Sequence, residues 1–127
     1  MHRVLALAAF PLFLVLVLVA ATLTRAQGTE TADMEKGKLI FTMYCLTCHG
    51  PEGDGKGPVG LTLDPPPRDF TKAEFKYCGA CTDADVFEVI TNGAAAQGGS
   101  PNMAPWGAVL PEEDRWAVLK YIKSFKK

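Results

Sequence analysis

The sequence predicts a small all-α domain with about three main helices and two long loops rich in glycine and proline. Apolar residues recur at helical spacing in three segments, residues 33–49, 82–92 and 111–125. The segments between them hold most of the 12 glycines and 9 prolines. No run alternates between polar and apolar residues as a strand would, and a length of 127 residues allows one domain of ordinary size.

Residues 1–26 have the layout of a secretory signal peptide. A basic start precedes an uncharged apolar run at residues 4–23, and a small-x-small cleavage pattern ends at Ala26. At about 20 residues the run is also long enough to span a bilayer, so its retention as a membrane anchor is the alternative. In both cases we expect residues 27–127 to be exported and to lie in the periplasm, free or anchored.

The first predicted helix, residues 33–49, ends on a CxxCH motif made by Cys45, Cys48 and His49. This motif is the attachment signature of a c-type haem. Two thiols about one helical turn apart can add to the two vinyl groups of one porphyrin, and the adjoining imidazole then projects at the iron. We therefore expect one covalently attached haem c on Cys45 and Cys48, with His49 as an axial iron ligand.

Two other kinds of site also use paired cysteines. A thioredoxin-like dithiol needs a βαβ context, which the sequence lacks. A structural zinc site needs four ligands, and Cys78 and Cys81 would complete such a set with the first pair. The histidine that adjoins the first pair favours haem over both alternatives.

Capping residues and helix breakers predict the remaining elements. Residues 50–67 are dense in glycine and proline and are predicted as a loop. Thr82 can cap a second, short helix, which Gly93 ends. Residues 93–105 form a second loop, and the last helix begins at Pro111, with acidic residues in its first turn and lysines at its end.

With these motifs in this order, residues 33–127 resemble a class I cytochrome c. Gly37 and Phe41 precede the CxxCH motif at the spacing of that family, and a methionine in a late loop and a closing helix follow. The resemblance implies a small cytochrome c-like fold around one haem. It also implies that the first and last helices cross at Gly37, which would then approach Val118 and Tyr121.

Met103 is the candidate for the second axial position on the iron. Met34 and Met43 lie on the helix that carries the CxxCH motif and cannot reach the opposite face of a haem. Met103 lies in the late loop and can fold over that face, as the distal methionine of the resembling family does; a methionine that fills a loop cavity is the alternative. The loop at residues 93–102 holds three glycines and no bulky apolar residue, so we expect little besides the iron–sulfur bond and Trp106 to hold it.

The resemblance also suggests three residues of the haem environment. The Pro58 carbonyl would accept the Nδ1 hydrogen of His49, unless Pro58 is an ordinary turn proline. Arg68 would pair with a haem propionate, although pairing with Asp69 is an equal alternative. Trp106 would cover the haem edge, or would only close the loop over the core.

Cys78 and Cys81 depart from the usual pattern of the resembling family. Threonine follows the second cysteine, so the pair lacks an axial ligand and does not predict a second haem. In an oxidising compartment the pair predicts a local disulfide. A redox-active dithiol is the alternative, because Cys81 lies close to a helix N-terminus, which lowers a thiol pKa.

Composition and resemblance together limit the function. With 13 basic and 14 acidic residues the chain has no basic excess, which argues against nucleic acid as a partner. The resemblance implies a single-electron carrier of a respiratory or related redox chain, without catalytic residues, whose partners are redox protein complexes as donor and acceptor. The alternatives are a tethered subunit of a larger oxidoreductase and, if Met103 does not bind iron, a five-coordinate haem enzyme or gas sensor.

Lysines supply a candidate docking surface. Because the first and last helices cross in the resembling family, the lysines on them would share one side: Lys36, Lys38, Lys120, Lys123, Lys126 and Lys127. The simpler interpretation is a solvated face without a role in docking.

Overall fold

The computed structural model describes residues 30–31, 33–72 and 82–126. The chain divides into two units, Met1–Ala32 and Asp33–Lys127. Within the described residues every regular element is helical and no strand occurs. The predicted all-α class is therefore confirmed.

Two of the sequence predictions concern residues that lie outside this description. The signal peptide or membrane anchor at residues 1–26 is one, and the disulfide between Cys78 and Cys81 is the other. Both stay predictions. No helix in the described ranges is long and apolar enough to cross a membrane.

Helix α1 covers residues 33–49 and is not uniform. The π-helical turn Phe41–Cys45 precedes the last α-helical turn, Leu46–His49. The widened turn is marked by the Leu46 amide, which donates to the Phe41 carbonyl five residues back. Such π turns are rare and often lie at functional sites. Here the turn ends at the first cysteine of the CxxCH motif.

Helix α2 covers Asp83–Asn92 and begins and ends as predicted. Thr82 accepts a hydrogen bond from the Asp85 amide, while the Asp85 carboxylate accepts one from the Thr82 amide at 2.8 Å, which forms a capping box. Gly93 ends the helix with a φ of 80°, a backbone conformation that glycine adopts without steric cost.

Helix α3 covers Glu112–Lys123 and starts after Pro111. Its first turn carries only acidic side chains and its last turn basic ones, an order that favours the helix dipole at both ends. Short 3₁₀ turns occupy parts of the loops: Gly60–Thr62, Phe70–Lys72 and Ala94–Gln97.

The core forms where α1 crosses α3. A Cβ atom on Gly37 would overlap the Ala117 carbonyl oxygen and would lie 2.9 Å from the Tyr121 Cβ. The predicted approach to Tyr121 is confirmed, with Ala117 rather than Val118 as the nearest backbone. Phe41, 1% exposed, packs beside this crossing with its ring 5.5 Å from that of Tyr121 and 5.1 Å from that of Phe125.

Candidate functional site

The loop that follows α1 folds back onto the end of the helix. The Gly57 amide donates to the Cys48 carbonyl at 3.2 Å, and the Val59 amide donates to the Thr47 carbonyl at 3.0 Å. These bonds supply partners for carbonyl groups that a helix end leaves without intrahelical donors. A Cβ atom on Gly60 would overlap the Cys48 carbonyl oxygen, so this approach requires glycine. The backbone of the CxxCH motif is thus held by its own neighbouring loop.

A cavity of about 400 Å³ opens against this helix end. Its walls come from α1, the proline-rich loop, α2 and the loop after α2, with further apolar contacts from α3. Its lining includes all but one of the predicted site residues: Cys45, Cys48, His49, Arg68, Met103 and Trp106. Its volume falls within the range of about 300–1,000 Å³ that is typical of small-molecule and cofactor sites. Residues from distant parts of the chain therefore meet around one space.

His49 lines the cavity, and one of its two ring nitrogens is buried. The Nδ1 atom is buried even though the cavity is open, and no hydrogen bond of normal geometry reaches it from the described residues. The imidazole stacks on the Phe70 ring, with centroids 4.6 Å apart and planes 17° apart. Burial lowers the pKa of His49, against a smaller opposing effect of the Arg68 backbone, so the ring is neutral at pH 7, as a metal ligand must be.

Cys45 and Cys48 both line the cavity as free thiols. Burial, with a smaller contribution from Cys48, raises the pKa of Cys45 to about 12. Reactive dithiols have lowered rather than raised pKa values, so this environment disfavours the dithiol interpretation. The described residues contain no group of three or more histidine, cysteine or acidic side chains that could hold a metal ion. The zinc interpretation depends on Cys78 and Cys81, which lie outside them.

Met103 lies on the wall supplied by the loop after α2. Of the methionines in residues 33–72 and 82–126, it alone lines the cavity. Met43 is 66% exposed on the surface of α1, which agrees with its exclusion from the site.

The backbone holds the Met103 loop more firmly than its sequence predicts. The Met103 carbonyl accepts from the Ala94 amide and the Met103 amide donates to the Ser100 carbonyl, both at 3.2 Å. The expectation that little besides Trp106 and the iron–sulfur bond holds this loop is therefore wrong. Composition shows which side chains are absent, but it does not show backbone hydrogen bonds.

Trp106 lines the cavity and is tied to two helices. Its amide donates to the Ile90 carbonyl of α2 at 3.0 Å, and its ring lies 5.4 Å from the ring of Tyr44 on α1. It therefore closes the loop over the core, as one of the two interpretations expected. Coverage of a haem edge stays a prediction.

Arg68 and Pro58 have different relations to the cavity. Arg68 lines it, while the neighbouring Asp69 carboxylate accepts from the Thr71 hydroxyl at 2.6 Å and pairs with Lys72 at 3.1 Å. Pro58 is exposed and is not part of the cavity lining. The hydrogen bond from Nδ1 of His49 to the Pro58 carbonyl and the pairing of Arg68 with a propionate both stay predictions.

Comparison with known proteins shows the family to which the sequence of this chain belongs. Residues 32–122 match the family model described as cytochrome c oxidase, cbb3-type, subunit III. The chain belongs to this family. The predicted resemblance to a cytochrome c is confirmed, and membership of the cytochrome c family implies haem c and electron transfer.

Two curated relatives of this cytochrome c domain are themselves oxidase subunits. The chain is 33% identical over 96 residues to the cbb3-type cytochrome c oxidase subunit CcoP of Azospirillum brasilense and 31% identical over 101 residues to subunit FixP of Azorhizobium caulinodans. The matches cover 76% and 80% of this chain but only 30% of each relative. The chain thus corresponds to less than a third of the length of these relatives.

A solved structure supports the same fold for the domain. A chain of the Kuenenia stuttgartiensis reducing HAO-like protein complex superposes with a TM-score of 0.61 and 36% sequence identity. The match covers 72% of this chain and 42% of that one. The predicted small cytochrome c-like fold is therefore confirmed.

The residues around the cavity of this cytochrome c domain fit a haem. Nδ1 of His49 is buried, so we expect Nε2 to be the ring nitrogen that a ligand in the cavity contacts. The two thiols of the attachment motif and a thioether line the same space. Haem c would thus meet a neutral imidazole, two thiols for its vinyl groups and an apolar wall.

Sequence reasoning missed Phe70, which contacts the proposed iron ligand directly. It is 8% exposed, and its amide donates to the Gly53 carbonyl at 2.7 Å, which fixes it beside the end of α1. The sequence shows only an isolated aromatic residue after a proline-rich loop. No local pattern could reveal that its ring stacks on His49.

The structure favours the simpler of the two interpretations of the lysine surface, a solvated face. Three of its members are bound to carboxylates in ion pairs: Lys36–Asp114, Lys120–Asp33 at 3.7 Å and Lys123–Asp83 at 2.6 Å. The pairs place acidic groups of α1, α2 and α3 beside the lysines, so the local charge is mixed rather than basic. This cluster does not form the uniformly positive patch that steering of a partner needs.

Proposed function

We propose that this chain carries single electrons through one haem c attached to Cys45 and Cys48, with His49 and Met103 as the axial iron ligands. The observation that carries the proposal is the convergence of these four side chains on one cavity. When bound, haem c supplies a one-electron Fe(III)/Fe(II) couple. With both axial positions taken by protein side chains, the iron keeps no open position for a substrate.

The chain's own residues prepare each contact. The π turn and the glycine-rich loop hold the two cysteines on the cavity side of α1. Phe70 stacks against His49 and orients its imidazole, while burial keeps the ring neutral. The loop after α2 supplies the wall that carries Met103, and this loop is distant in sequence from the CxxCH motif.

We further propose that the electron donor and acceptor are redox protein complexes outside the cytoplasm. The relatives named as cbb3-type oxidase subunits support this class of partner. Two modes are compatible with residues 1–26: a diffusing periplasmic carrier after cleavage at Ala26, or a subunit tethered by the apolar run. Sequencing the N-terminus of the mature protein separates them, since a start at Gln27 supports the first and an intact start in the membrane fraction supports the second.

Replacement of Met103 tests the axial assignment. Met103→Ala should keep the covalent haem, lose the sulfur-to-iron charge-transfer band of the oxidised spectrum and lower the reduction potential, because a thioether ligand raises it. The exposed Met43→Ala is the matched control and should change neither. Covalent attachment is read from the mass of the denatured protein, which should exceed that of the chain by one haem.

Two results would contradict the proposal. Haem that is released by acidic organic solvent would overturn covalent attachment at Cys45 and Cys48. An unchanged potential and spectrum in Met103→Ala would show that Met103 never bound iron, and a five-coordinate haem enzyme or gas sensor would become the better description.

A further inference from the structure

Arg115, on the first turns of α3, reaches a residue at the end of α2. Its Nη1 atom donates to the Thr91 hydroxyl at 2.8 Å, and its guanidinium lies 4.9 Å from the centre of the Phe87 ring. The Thr91 hydroxyl in turn donates to the Phe87 carbonyl at 2.7 Å. Hydrogen bonds from a charged donor are stronger than those between neutral groups. The arrangement fixes the last turn of α2 against α3.

The segment that returns from Met103 docks on the same turn. The Gly107 amide donates to the Thr91 carbonyl at 3.0 Å, and the adjacent Trp106 amide donates to the Ile90 carbonyl. A Cβ atom on Gly107 would lie 2.9 Å from the Thr91 carbonyl oxygen and 3.2 Å from Nη1 of Arg115. A side chain at Gly107 would therefore press against both members of the Arg115–Thr91 pair.

Both ends of the Met103 loop thus close on the end of α2. The start is held where the Ala94 amide donates to the Met103 carbonyl, just after Gly93. The return is held at Trp106 and Gly107, which the Arg115–Thr91 pair backs. Release of Met103 from the iron requires this loop to open, and loosening of the return anchor lowers the free energy of opening.

We propose that Arg115 is a positioning residue that, through Thr91, keeps the Met103 loop closed on the haem iron. The proposal rests on the axial role of Met103 proposed above. It assigns to Arg115 no contact with the haem: its effect passes through Thr91 and the Gly107 backbone. The pair should set how readily an added ligand displaces the methionine, and should leave covalent attachment unchanged.

The experiment measures imidazole binding to the oxidised holoprotein, by loss of the sulfur-to-iron charge-transfer band. Thr91→Val keeps the shape of the side chain and removes the hydroxyl, and it should tighten imidazole binding about tenfold, which corresponds to about 1.4 kcal/mol. Thr91→Ser restores the hydroxyl and should bind as the wild type does. Arg115→Lys keeps the charge without the guanidinium fork and should behave like Thr91→Val.

Asp83→Asn is the matched control, because it removes a different polar link between α2 and α3, the ion pair with Lys123. It should leave imidazole affinity unchanged. If Thr91→Val lowers the unfolding free energy but not the imidazole dissociation constant, the pair only supports the fold and the proposal is overturned. If the wild type itself lacks the charge-transfer band, the axial role of Met103 fails instead, and the two failures are thereby distinguished.

Discussion

The two walls of the cavity are built in different ways. The wall with the CxxCH motif is held by its own neighbours in sequence, such as the Gly57 amide on the Cys48 carbonyl. The wall with Met103 is held by remote contacts, among them the Arg115–Thr91 bond between residues 24 positions apart. The backbone of the first wall is therefore held mainly by local structure, whereas the second wall also needs α2 and α3 in place. We expect the Met103 wall to open first when the protein is perturbed.

The largest effect should come from the loss of His49. His49→Ala removes the proposed axial ligand that adjoins the attachment motif, and without a firmly held haem a cavity of about 400 Å³ would be left unfilled beside the core. We expect little or no folded holoprotein, whereas Met103→Ala should stay folded with covalent haem. Far-ultraviolet circular dichroism and the mass of the denatured protein measure both. Equal folding of the two variants would contradict the difference between the walls.

Two glycines give the next largest effect. Gly60→Ala should lower the unfolding free energy by roughly 1–3 kcal/mol, because its Cβ would overlap the Cys48 carbonyl oxygen. Gly98 has a φ of 76°, but no atom lies within 4 Å of its Cβ position. Gly98→Ala should therefore cost only about 1–2 kcal/mol, the conformational penalty of that backbone region. Denaturant titration measures the unfolding free energy of both variants. A larger loss for Gly98→Ala than for Gly60→Ala would show that the wall with the CxxCH motif accommodates a Cβ atom at Gly60.

Phe70→Leu should lower stability moderately and should also change the spectrum of the iron. The loss of the ring stacked on His49 should cost about 0.5–1.5 kcal/mol beyond the area lost. It should also free the imidazole to rotate, which changes the electron paramagnetic resonance spectrum of the low-spin oxidised iron. Phe125→Leu is the control, since the Phe125 ring lies 5.1 Å from that of Phe41 and is not part of the cavity lining. An unchanged spectrum in Phe70→Leu would mean that other contacts orient His49.

The smallest effect concerns the cap of α2, which carries the remote anchors. Hydrogen bonds from the Thr82 hydroxyl and amide hold the pKa of Asp85 below its usual 3.8. The folded state thus binds this proton less tightly than the unfolded chain does, so the cap stabilises above about pH 3.8 and is lost as the pH falls through the folded value. Asp85→Asn should lower the melting temperature slightly at pH 7. The difference in melting temperature between Asp85→Asn and the wild type should vanish in strong acid. Thr82→Ser keeps the hydroxyl and should leave the cap intact.

Helix prediction succeeded where the sequence carries a physical marker at each end. Three residues mark helix ends by effects that act within one turn. The Thr82 side chain accepts a hydrogen bond, Gly93 adopts a positive φ, and Pro111 has no amide hydrogen to leave without a partner. The π turn at Phe41–Cys45 has no such marker and was not predicted. The lysine surface shows the same limit: the carboxylates that pair with three of its lysines come from other helices, so only the folded chain shows them.

By itself, the sequence determined the helical class and the attachment motif, because helical periodicity and CxxCH spacing express geometry within a few residues. It also indicated Met103, through its place in a late loop and a family resemblance. Tertiary structure alone decided the stacking of Phe70 on His49, the burial of Nδ1 and the closure of the Met103 loop on Thr91. These features join residues far apart in the chain. Their energies depend on distances that exist only after the helices have packed.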